Sequence, residues 1–213
     1  MPNKKDPKQN ILDTAASLIA RKGFAAVGVR EIAKKSKVNI SMISYYFGGK
    51  TGILKAIIAD YFDSIGHSLK SVMDKGLPTE SEIKEVIKNL ARIMKDKENI
   101  CRVAIFELPF DLPEVAEFKL NLVKRNRQFV GKKLQEGFRI TDKTTHMIIG
   151  HAFISLVYSN FLFGKMSNKS SGIIEDEKYY DKYSELISII FLNGINGIKE
   201  KCCKNKNQKL KNK

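Results

Sequence analysis

Residues 29–47 read VREIAKKSKVNISMISYYF, a stretch with the spacing of two short helices joined by a tight turn. The first helix fits residues 29–35, the turn fits residues 36–38 and the second helix fits residues 39–47. Asn39 is a residue type that caps a helix N-terminus, because its side-chain oxygen accepts a backbone amide. These lengths are typical of a helix-turn-helix, whose second helix enters the major groove of DNA. The same spacing also occurs in helix hairpins of ordinary cores, so that alternative stays open.

The second helix of such a motif would present a defined set of side chains to DNA. Its start, residues 39–42, would face base edges in the groove. Tyr45 and Tyr46 lie near its end, where a phenol hydroxyl can reach a phosphate. Arg30 opens the first helix with a planar fork that suits guanine or phosphate, and Lys50 adds a cation. The predicted DNA-binding residues are Arg30, Asn39, Ile40, Ser41, Met42, Tyr45, Tyr46, Lys50 and Thr51.

The charge of the chain is strongly basic and unevenly placed. Lys and Arg number 38 against 23 Asp and Glu, which gives a formal net charge of +15. Residues 1–50 contribute +7 and residues 199–213 contribute +6, so the middle of the chain is nearly neutral. This excess predicts a polyanionic partner, either nucleic acid or an anionic membrane, although a basic terminus is also often only solvated.

Helical periodicity dominates the rest of the chain, which shows no internal repeat and no convincing strand alternation. One helix precedes the motif, with Asp6 as N-cap, Pro7 in its first turn and Gly23 as its stop. Thr51 is expected to cap the helix that follows the motif. The later helices are expected at about 51–74, 80–95, 98–108, 113–138, 142–166 and 178–200, with a loop over 167–176. About nine helices without a strand predict an all-α protein.

Length and cysteine content bound the class of protein. A chain of 213 residues fits one domain or two small ones and can bury a hydrophobic core. The cysteines, Cys101, Cys202 and Cys203, have no framework spacing and suit a reducing cytosol. Residues 1–10 are polar and Lys-rich, without an apolar signal core, so a cytoplasmic location is predicted.

The segment Thr144 to Gly164 is long enough to cross a membrane, because its 21 residues carry no formal charge. However, His151, Ser155 and Ser159 follow one another at intervals of four residues and form a polar stripe along one helix face. This stripe favours a helix that packs against protein over one in lipid, so no membrane partner is predicted.

Residue-level likeness to a known family is confined to the first quarter of the chain. Residues 10–56 resemble the DNA-binding domain of the TetR (tetracycline-repressor-like) family, and the helical layout and length of the whole chain are similar to that family as well. The matching positions are Gly23-Phe24, Val29-Arg30-Glu31-Ile32-Ala33, Val38, Ile43-Ser44-Tyr45-Tyr46-Phe47, Lys50 and Leu54. The sequence departs from the family pattern at Gly28, Lys37 and Ser44, where a capping Thr or Ser, a turn Gly and an aromatic Tyr are usual.

The resemblance implies a homodimeric repressor that binds a pseudo-palindromic operator and is released by a small molecule. It implies a three-helix DNA-binding domain over residues 1–50 and a helical ligand-binding and dimerisation domain over residues 51–200. Residues 201–213 are expected to form a disordered Lys-rich tail. Of the departures, Gly28 is expected to start its helix less firmly. Lys37 tolerates positive φ poorly, so either the turn differs or this position is strained.

The resemblance also places a ligand pocket and a dimer interface in the second domain. A mostly apolar, aromatic cavity would suit a hydrophobic or amphipathic effector, although the same side chains could simply fill a core. The candidate pocket residues are Cys101, Ile105, Phe106, Phe110, Phe118, Leu122, His151, Phe153 and Tyr158. The candidate interface residues are Ile149, Ala152, Leu156, Leu186, Ile190, Phe191 and Ile195.

Catalysis has little support in the sequence. The three histidines lack metal-ligand spacing, and no serine lies in a nucleophile elbow, so neither metal nor cofactor is predicted. Gly49-Lys50-Thr51 resembles the end of a phosphate-binding loop, but position 44 is Ser where that motif requires Gly.

The interpretation that competes with a repressor is a basic nucleoid-type or membrane-surface protein without operator specificity.

Overall fold

The computed structural model describes residues 6–73, 80–107, 112–138 and 142–211, and the regular structure within them is entirely helical. The α-helices are α1 (Pro7–Lys22), α2 (Val29–Ser36), α3 (Ile40–Phe47), α4 (Lys50–Met73), α5 (Glu80–Asp96), α6 (Glu98–Phe106), α7 (Pro113–Phe138), α8 (Lys143–Ser159), α9 (Lys165–Ser170) and α10 (Glu177–Lys211). A π-helical segment, Asn160–Gly164, joins α8 to α9 without a break. The prediction of an all-α fold is confirmed.

The helix bounds of the helix-turn-helix agree with the sequence pattern, but the start of α4 does not. The carboxylate of Asp6 accepts the Lys8 amide at the start of α1, as predicted for an N-cap. Thr51 was expected to cap α4, and this prediction is wrong. The carbonyl of Gly49 already accepts the Ile53 amide at 3.1 Å, so the helix begins one residue before Thr51.

The two C-terminal helical stretches run further than their sequence patterns predicted. From α8 the helix runs through the π-helical segment and then past residue 166 to the end of α9 at Ser170. The left-handed Gly172, with a φ of 67°, follows and ends the helical stretch. The expected end near residue 200 is also wrong, because α10 continues to Lys211. Residues 201–211, expected to be disordered, are therefore helical. No Gly or Pro follows Gly197, and Lys, Gln and Leu are good helix formers.

Packing divides the chain into two compact units. Unit 1 comprises Met1–Ile65 and Asp96–Asn126, and unit 2 comprises Gly66–Lys95 and Arg127–Lys213. Unit 1 extends beyond the sequence-based boundary at residue 50 because α6 packs against α1. The helix-turn-helix therefore shares one core with α6.

The core of unit 1 is aliphatic and holds the three N-terminal helices together. Ile11 and Ile19 of α1, Ile32 of α2 and Ile43 of α3 are fully buried. The first turns of α4 and the middle of α6 add further buried side chains, which are Ile53, Leu54, Ile57, Ile58, Cys101, Val103 and Ala104. Each fully buried aliphatic side chain stabilises the unit by about 1.5–3 kcal/mol relative to exposure.

The turn between α2 and α3 contains a left-handed residue that is not glycine. Lys37 has φ 56° and ψ 41° at the C-cap of α2, and its amide donates to the α2 carbonyls of Ala33 and Lys34. The side-chain amide of Asn10 donates to the Ser36 carbonyl at 2.7 Å, which ties this turn to α1. The sequence left two alternatives for Lys37, a different turn or a strained backbone. In the structure the turn keeps its left-handed residue, and Lys37 adopts this strained conformation.

Two side chains of α7 and that of Lys97, the N-cap residue of α6, bind to α4 within unit 1. The ammonium of Lys97 donates to both carboxylate oxygens of Asp60 at 2.9 Å, and to Ser64 at 3.0 Å. Arg125 pairs with Asp63 at 2.6 Å, and the Asn126 amide donates to the Phe62 carbonyl at 3.1 Å. These contacts fix α6 and α7 against the C-terminal half of the α4 segment in this unit.

Lys119 of α7 lies half-buried at the C-terminal end of α6. Its ammonium donates to the carbonyls of Ile105 at 3.2 Å and Glu107 at 3.5 Å. Burial lowers the pKa of Lys119 to about 8, and the nearby Glu107 carboxylate acts in the opposite direction. The ammonium therefore satisfies helix-terminal carbonyls at a cost in hydration.

In unit 2, ion pairs join α5 to α10, and each of these helices buries apolar side chains. Ile187, Phe191 and Ile195 of α10 are buried, and so is the apolar face of α5, made by Ile83, Val86, Ile87, Leu90, Ala91 and Met94. Lys88 pairs with Asp181, and Arg92 pairs with Glu177 at 2.7 Å. Exposed pairs of this kind add little stability, so the buried apolar side chains contribute more to the stability of unit 2.

We predict that Lys37→Gly stabilises the protein by about 0.5–1 kcal/mol, because glycine adopts the left-handed conformation without a Cβ clash. The matched control is Lys35→Gly, which removes the same charge inside α2 and should destabilise by about 1 kcal/mol. Urea denaturation measures both changes. Equal destabilisation by the two variants would show that Lys37 is not left-handed in solution.

We predict that stability rises between about pH 8 and pH 10.5, where folded Lys119 has lost its proton and the unfolded chain still binds it. Below about pH 8, Lys119 is protonated in both the folded and the unfolded chain, so the folded state carries the full free-energy cost of burying the charge. Lys119→Met should reduce the rise, as measured by urea denaturation across this pH range. Lys124→Met, at an exposed position of α7, should leave it unchanged; an unaltered rise in Lys119→Met would contradict the assignment.

Candidate nucleic-acid interface

Helix α3 has one buried face and one exposed edge. Ile43 is fully buried, whereas Asn39, Ile40 and Ser41 at its start are exposed. Tyr45 is 83% exposed, and this fraction shows that its ring packs little against its own chain. The helix can therefore be inserted into a groove by its outer edge without unfolding any of the core. An ordinary core hairpin would have buried these residues.

The start of α3 is held in shape by Asn39. Its side-chain oxygen accepts the Ser41 amide and the Ser41 hydroxyl, both at 2.9 Å. This confirms the predicted N-cap and fixes the first turn of the helix. The amide nitrogen of Asn39 is the donor that can face an acceptor on a base edge.

The C-terminal end of α3 carries packed aromatic rings. Tyr45 and Tyr46 meet edge to face with centroids 5.1 Å apart, and Tyr46 meets Phe47 at 6.3 Å. Tyr46 and Phe47 are half-buried, and Tyr46 is the ring that contacts the exposed Tyr45. The Tyr45 hydroxyl is therefore open to a phosphate or base.

Helix α2 adds exposed basic groups beside this edge. Arg30, the predicted contact at its start, is exposed, and so are Lys34, Lys35 and Lys37, which the sequence reasoning did not select. Charge runs on solvated faces are common, so their sequence signal was weak. Glu31 in the same helix pairs with Lys22 of α1 at 2.6 Å, which neutralises the acidic group in this region.

Lys50 and Thr51, the first two residues of α4, are half-buried, as are Met42 and Tyr46 of α3. The Lys50 ammonium donates to the Ala25 carbonyl at 3.3 Å and lies 4.2 Å from the centroid of the Phe24 ring. Phe24 was quoted in the family pattern but was not predicted to serve the site. In the sequence, Phe24 was marked only by the match of the Gly23-Phe24 pair to the family pattern.

The predicted pocket residues are divided between the two compact units. Cys101 is buried in unit 1, where Ile105, Phe118 and Leu122 are half-buried and Phe106 is 55% exposed. Phe110 lies outside the described residues. His151, Phe153 and Tyr158 belong to unit 2, in which the Phe153 ring packs 4.8 Å from that of Phe191. The assignment of these residues to one pocket stays a prediction.

The chemistry of these groups does not favour catalysis. Burial raises the pKa of the Cys101 thiol to about 12 and keeps it as an unreactive thiol. Burial likewise raises the pKa of Tyr158. Within the described parts of the chain, no group of three His, Cys, Asp or Glu side chains could hold a metal ion.

The predicted interface residues on α8 and α10 fall into two groups. Ile149, Phe191 and Ile195 are buried within unit 2, whereas Ala152, Leu186 and Ile190 are exposed and Leu156 is half-buried. The same helices and the π-helical segment expose further large apolar side chains, which are Ile148, Ile154, Leu162, Phe163 and Ile189. The stretch Lys143–Gly164 is the one described stretch long and apolar enough to cross a membrane, and little of it is buried.

Comparisons with known sequences agree with the geometry of α2 and α3. Residues 11–57 match the family model described as bacterial regulatory proteins, tetR family. The chain is 26% identical over 133 residues to the probable HTH-type transcriptional regulator YttP of Bacillus subtilis (strain 168), over 61% of this chain. That match spans 64% of YttP, slightly less than two thirds of its length. Identity to the HTH-type transcriptional repressor Rv3405c of Mycobacterium tuberculosis (strain ATCC 25618 / H37Rv) is 26%, covering 78% of this chain and 77% of that protein.

Solved structures share the fold of the whole chain. The transcriptional regulator FadR of Bacillus subtilis, in complex with stearoyl-CoA, superposes with a TM-score of 0.68 at 18% identity. The superposition covers 87% of this chain and 98% of the FadR chain. A TetR-family transcriptional regulator from Bordetella parapertussis 12822 gives a TM-score of 0.70 at 16% identity, over 88% of this chain and 95% of that one. The predicted layout of a helix-turn-helix domain followed by a helical domain is confirmed.

Proposed function

Because this chain belongs to the tetR family of bacterial regulatory proteins, we propose that it is a ligand-responsive repressor that binds a pseudo-palindromic operator as a homodimer. The family consists of transcriptional regulators rather than enzymes, and this chain carries their DNA-binding domain over residues 11–57. Operator specificity, dimerisation, effector release and a cytoplasmic location are the further parts of the proposal.

The observation that carries the proposal is the exposed, preorganised edge of α3. Asn39 and Ser41 are fixed by the N-cap, and the exposed Tyr45 ring meets that of Tyr46 edge to face. A rigid edge loses little conformational freedom on binding, so its contacts contribute more to affinity. The exposed basic side chains of α2 supply the complementary charge for the phosphate backbone.

The proposed homodimer would cover the exposed apolar side chains of unit 2. Ile148 is 62% exposed and Ile190 is 54% exposed, and an apolar surface of this kind marks an interaction site. A two-fold interface would place the same helix faces of both copies against each other. Dimerisation also serves recognition, because two α3 helices must reach major-groove segments about 34 Å apart.

The proposed effector is a small hydrophobic or amphipathic molecule, and an acyl compound is one chemical form it could take. The support is the number of apolar and aromatic side chains on α6 to α8, together with the stearoyl-CoA in the FadR structure. α6 packs on α1, and Lys97 at its N-cap binds to Asp60 of α4. A movement of α6 would therefore displace the helices of the DNA-binding domain. A coupling free energy of about 1–3 kcal/mol would weaken operator binding roughly 5- to 150-fold.

The net charge of +15 supports a second candidate function. A basic nucleoid-type or membrane-surface protein would bind polyanions without sequence preference, led by the Lys-rich residues 199–213. The two candidates differ in what removal of this segment does. Site-specific affinity should survive deletion of residues 201–213 in a repressor, whereas all binding should be lost in a protein that binds through its tail.

We predict a preferred DNA site, found by footprinting upstream of the protein's own gene and by selection from random sequence. Tyr45→Ala should weaken binding to that site at least about tenfold in fluorescence anisotropy, because each protomer loses a contact. The substitution should change stability by less than about 0.5 kcal/mol, since Tyr45 is exposed.

The matched control is Ile174→Ala, a residue that is 79% exposed in the connection between α9 and α10. It should leave DNA affinity unchanged. Binding without any preferred site at physiological salt would contradict the repressor proposal, and so would full affinity in Tyr45→Ala.

We predict that Ile190→Glu shifts the protein toward monomer in sedimentation velocity experiments. The substitution would place a charge within the proposed apolar interface, where it lacks water. Ile174→Glu adds the same charge at an exposed apolar residue off the α8 and α10 faces and should leave the dimer intact. A dimer that tolerates Ile190→Glu as well as Ile174→Glu would place the interface elsewhere.

A further inference from the structure

Lys50 is held by two uncharged groups of a distant turn. Its ammonium lies 4.2 Å from the centroid of the Phe24 ring and donates to the Ala25 carbonyl at 3.3 Å. Both groups belong to the connection between α1 and α2, whereas Lys50 is the first residue of α4. One side chain therefore joins the segment before the helix-turn-helix to the segment after it.

Both sides of this contact are fixed by the backbone. The turn begins at Gly23, with a φ of 79°, and the Val27 amide closes it by donating to the Phe24 carbonyl at 3.3 Å. Val27 is buried and anchors the turn in the core. On the other side, Gly48 and Gly49 have φ values of 69° and 120° and lead the chain from α3 into α4. Two left-handed residues in succession favour glycine, because a Cβ is strained against its own backbone there.

The uncharged nature of the two groups matters for binding an anion. A carboxylate partner would neutralise the lysine, as Glu31 does for Lys22 at 2.6 Å. An aromatic face and a carbonyl hold an ammonium through its charge but leave that charge in place. An ammonium has three N–H donors, so one bond to Ala25 leaves others for a phosphate oxygen. A lysine that is already ordered also loses less side-chain entropy when it binds.

We propose that Phe24 is a positioning residue for DNA binding, which holds the Lys50 ammonium in place to receive a backbone phosphate. The aromatic face acts through Lys50 and does not itself touch DNA. This inference rests on the proposed operator binding and adds a residue to it. Its chemical requirement is a π face at position 24, not merely an apolar side chain of similar size.

The test compares operator affinity in the full-length protein and four variants, using fluorescence anisotropy. Phe24→Leu keeps an apolar side chain without the π face, and Phe24→Tyr keeps the face. Lys50→Met removes the ammonium, and the fourth variant combines Phe24→Leu with Lys50→Met. Thermal unfolding of each variant shows whether the fold is retained.

Phe24→Leu should weaken operator binding roughly tenfold, since each protomer must then order a free lysine. Phe24→Tyr should bind within about twofold of the original protein. In the Lys50→Met background, Phe24→Leu should have no further effect, because the two residues act through one contact. Additive losses, or tighter binding by Phe24→Leu, would overturn the proposal.

A second measurement needs no DNA and separates this inference from the proposed function. The ring current of Phe24 should shift the NMR signals of the Lys50 Cε protons upfield. The shift should persist in Phe24→Tyr and disappear in Phe24→Leu. An absent shift would overturn the inference even if the operator is bound. If the upfield shift of the Lys50 Cε protons is present but the protein binds no preferred DNA site, the proposed function is overturned. The role of Phe24 in DNA binding is then overturned with it.

Discussion

Burial of Ile43 in the core of unit 1 determines which side of α3 the protein offers to DNA. A helix turns once every 3.6 residues, so fixing one side chain inward fixes the direction of all the others. With Ile43 enclosed by the core, Ser41 and Tyr45, each two residues away along the helix, lie on the solvent side, and Asn39 precedes the helix as its exposed N-cap. The same core contains Ile32 of α2 and Ile53 of α4, so the neighbouring basic residues are fixed relative to that edge.

Polar contacts in this unit then set details that apolar burial leaves free. The Asn39 cap shapes the first turn of α3, and the Asn10 amide ties the turn before it to α1. Lys50 joins the segments on either side of the motif through Phe24 and Ala25. These are single contacts of modest energy, but each one restricts a group whose position matters for binding. Stability comes from the aliphatic core, and precision comes from these directed contacts.

The same unit includes α6 and part of α7, which contact α1 and α4 on either side of the helix-turn-helix. Lys97, Arg125 and Asn126 bind to groups of α4, and α6 packs on α1. A regulator controlled by a small molecule needs two arrangements that differ in free energy when the molecule is bound. A segment that shares a core with the DNA-binding helices is suited to transmit such a change, because packed cores do not deform continuously.

Local sequence signals were sufficient for the N-terminal helices, because caps, turns and periodicity act over a few residues. Asp6, Asn39 and Gly23 marked helix ends correctly, and the exposed edge of α3 followed from Ile43 and the helical period. The extra length of α10 could have been foreseen from the lack of Gly and Pro after Gly197, but a Lys-rich composition is equally typical of disorder. Tertiary structure alone decided the rest. It gave Lys50 its partners 25 residues away, buried Ile149, Phe191 and Ile195 within unit 2, and divided the candidate pocket residues between two units. Those outcomes depend on which surfaces meet when the chain is folded, and no local pattern encodes that choice.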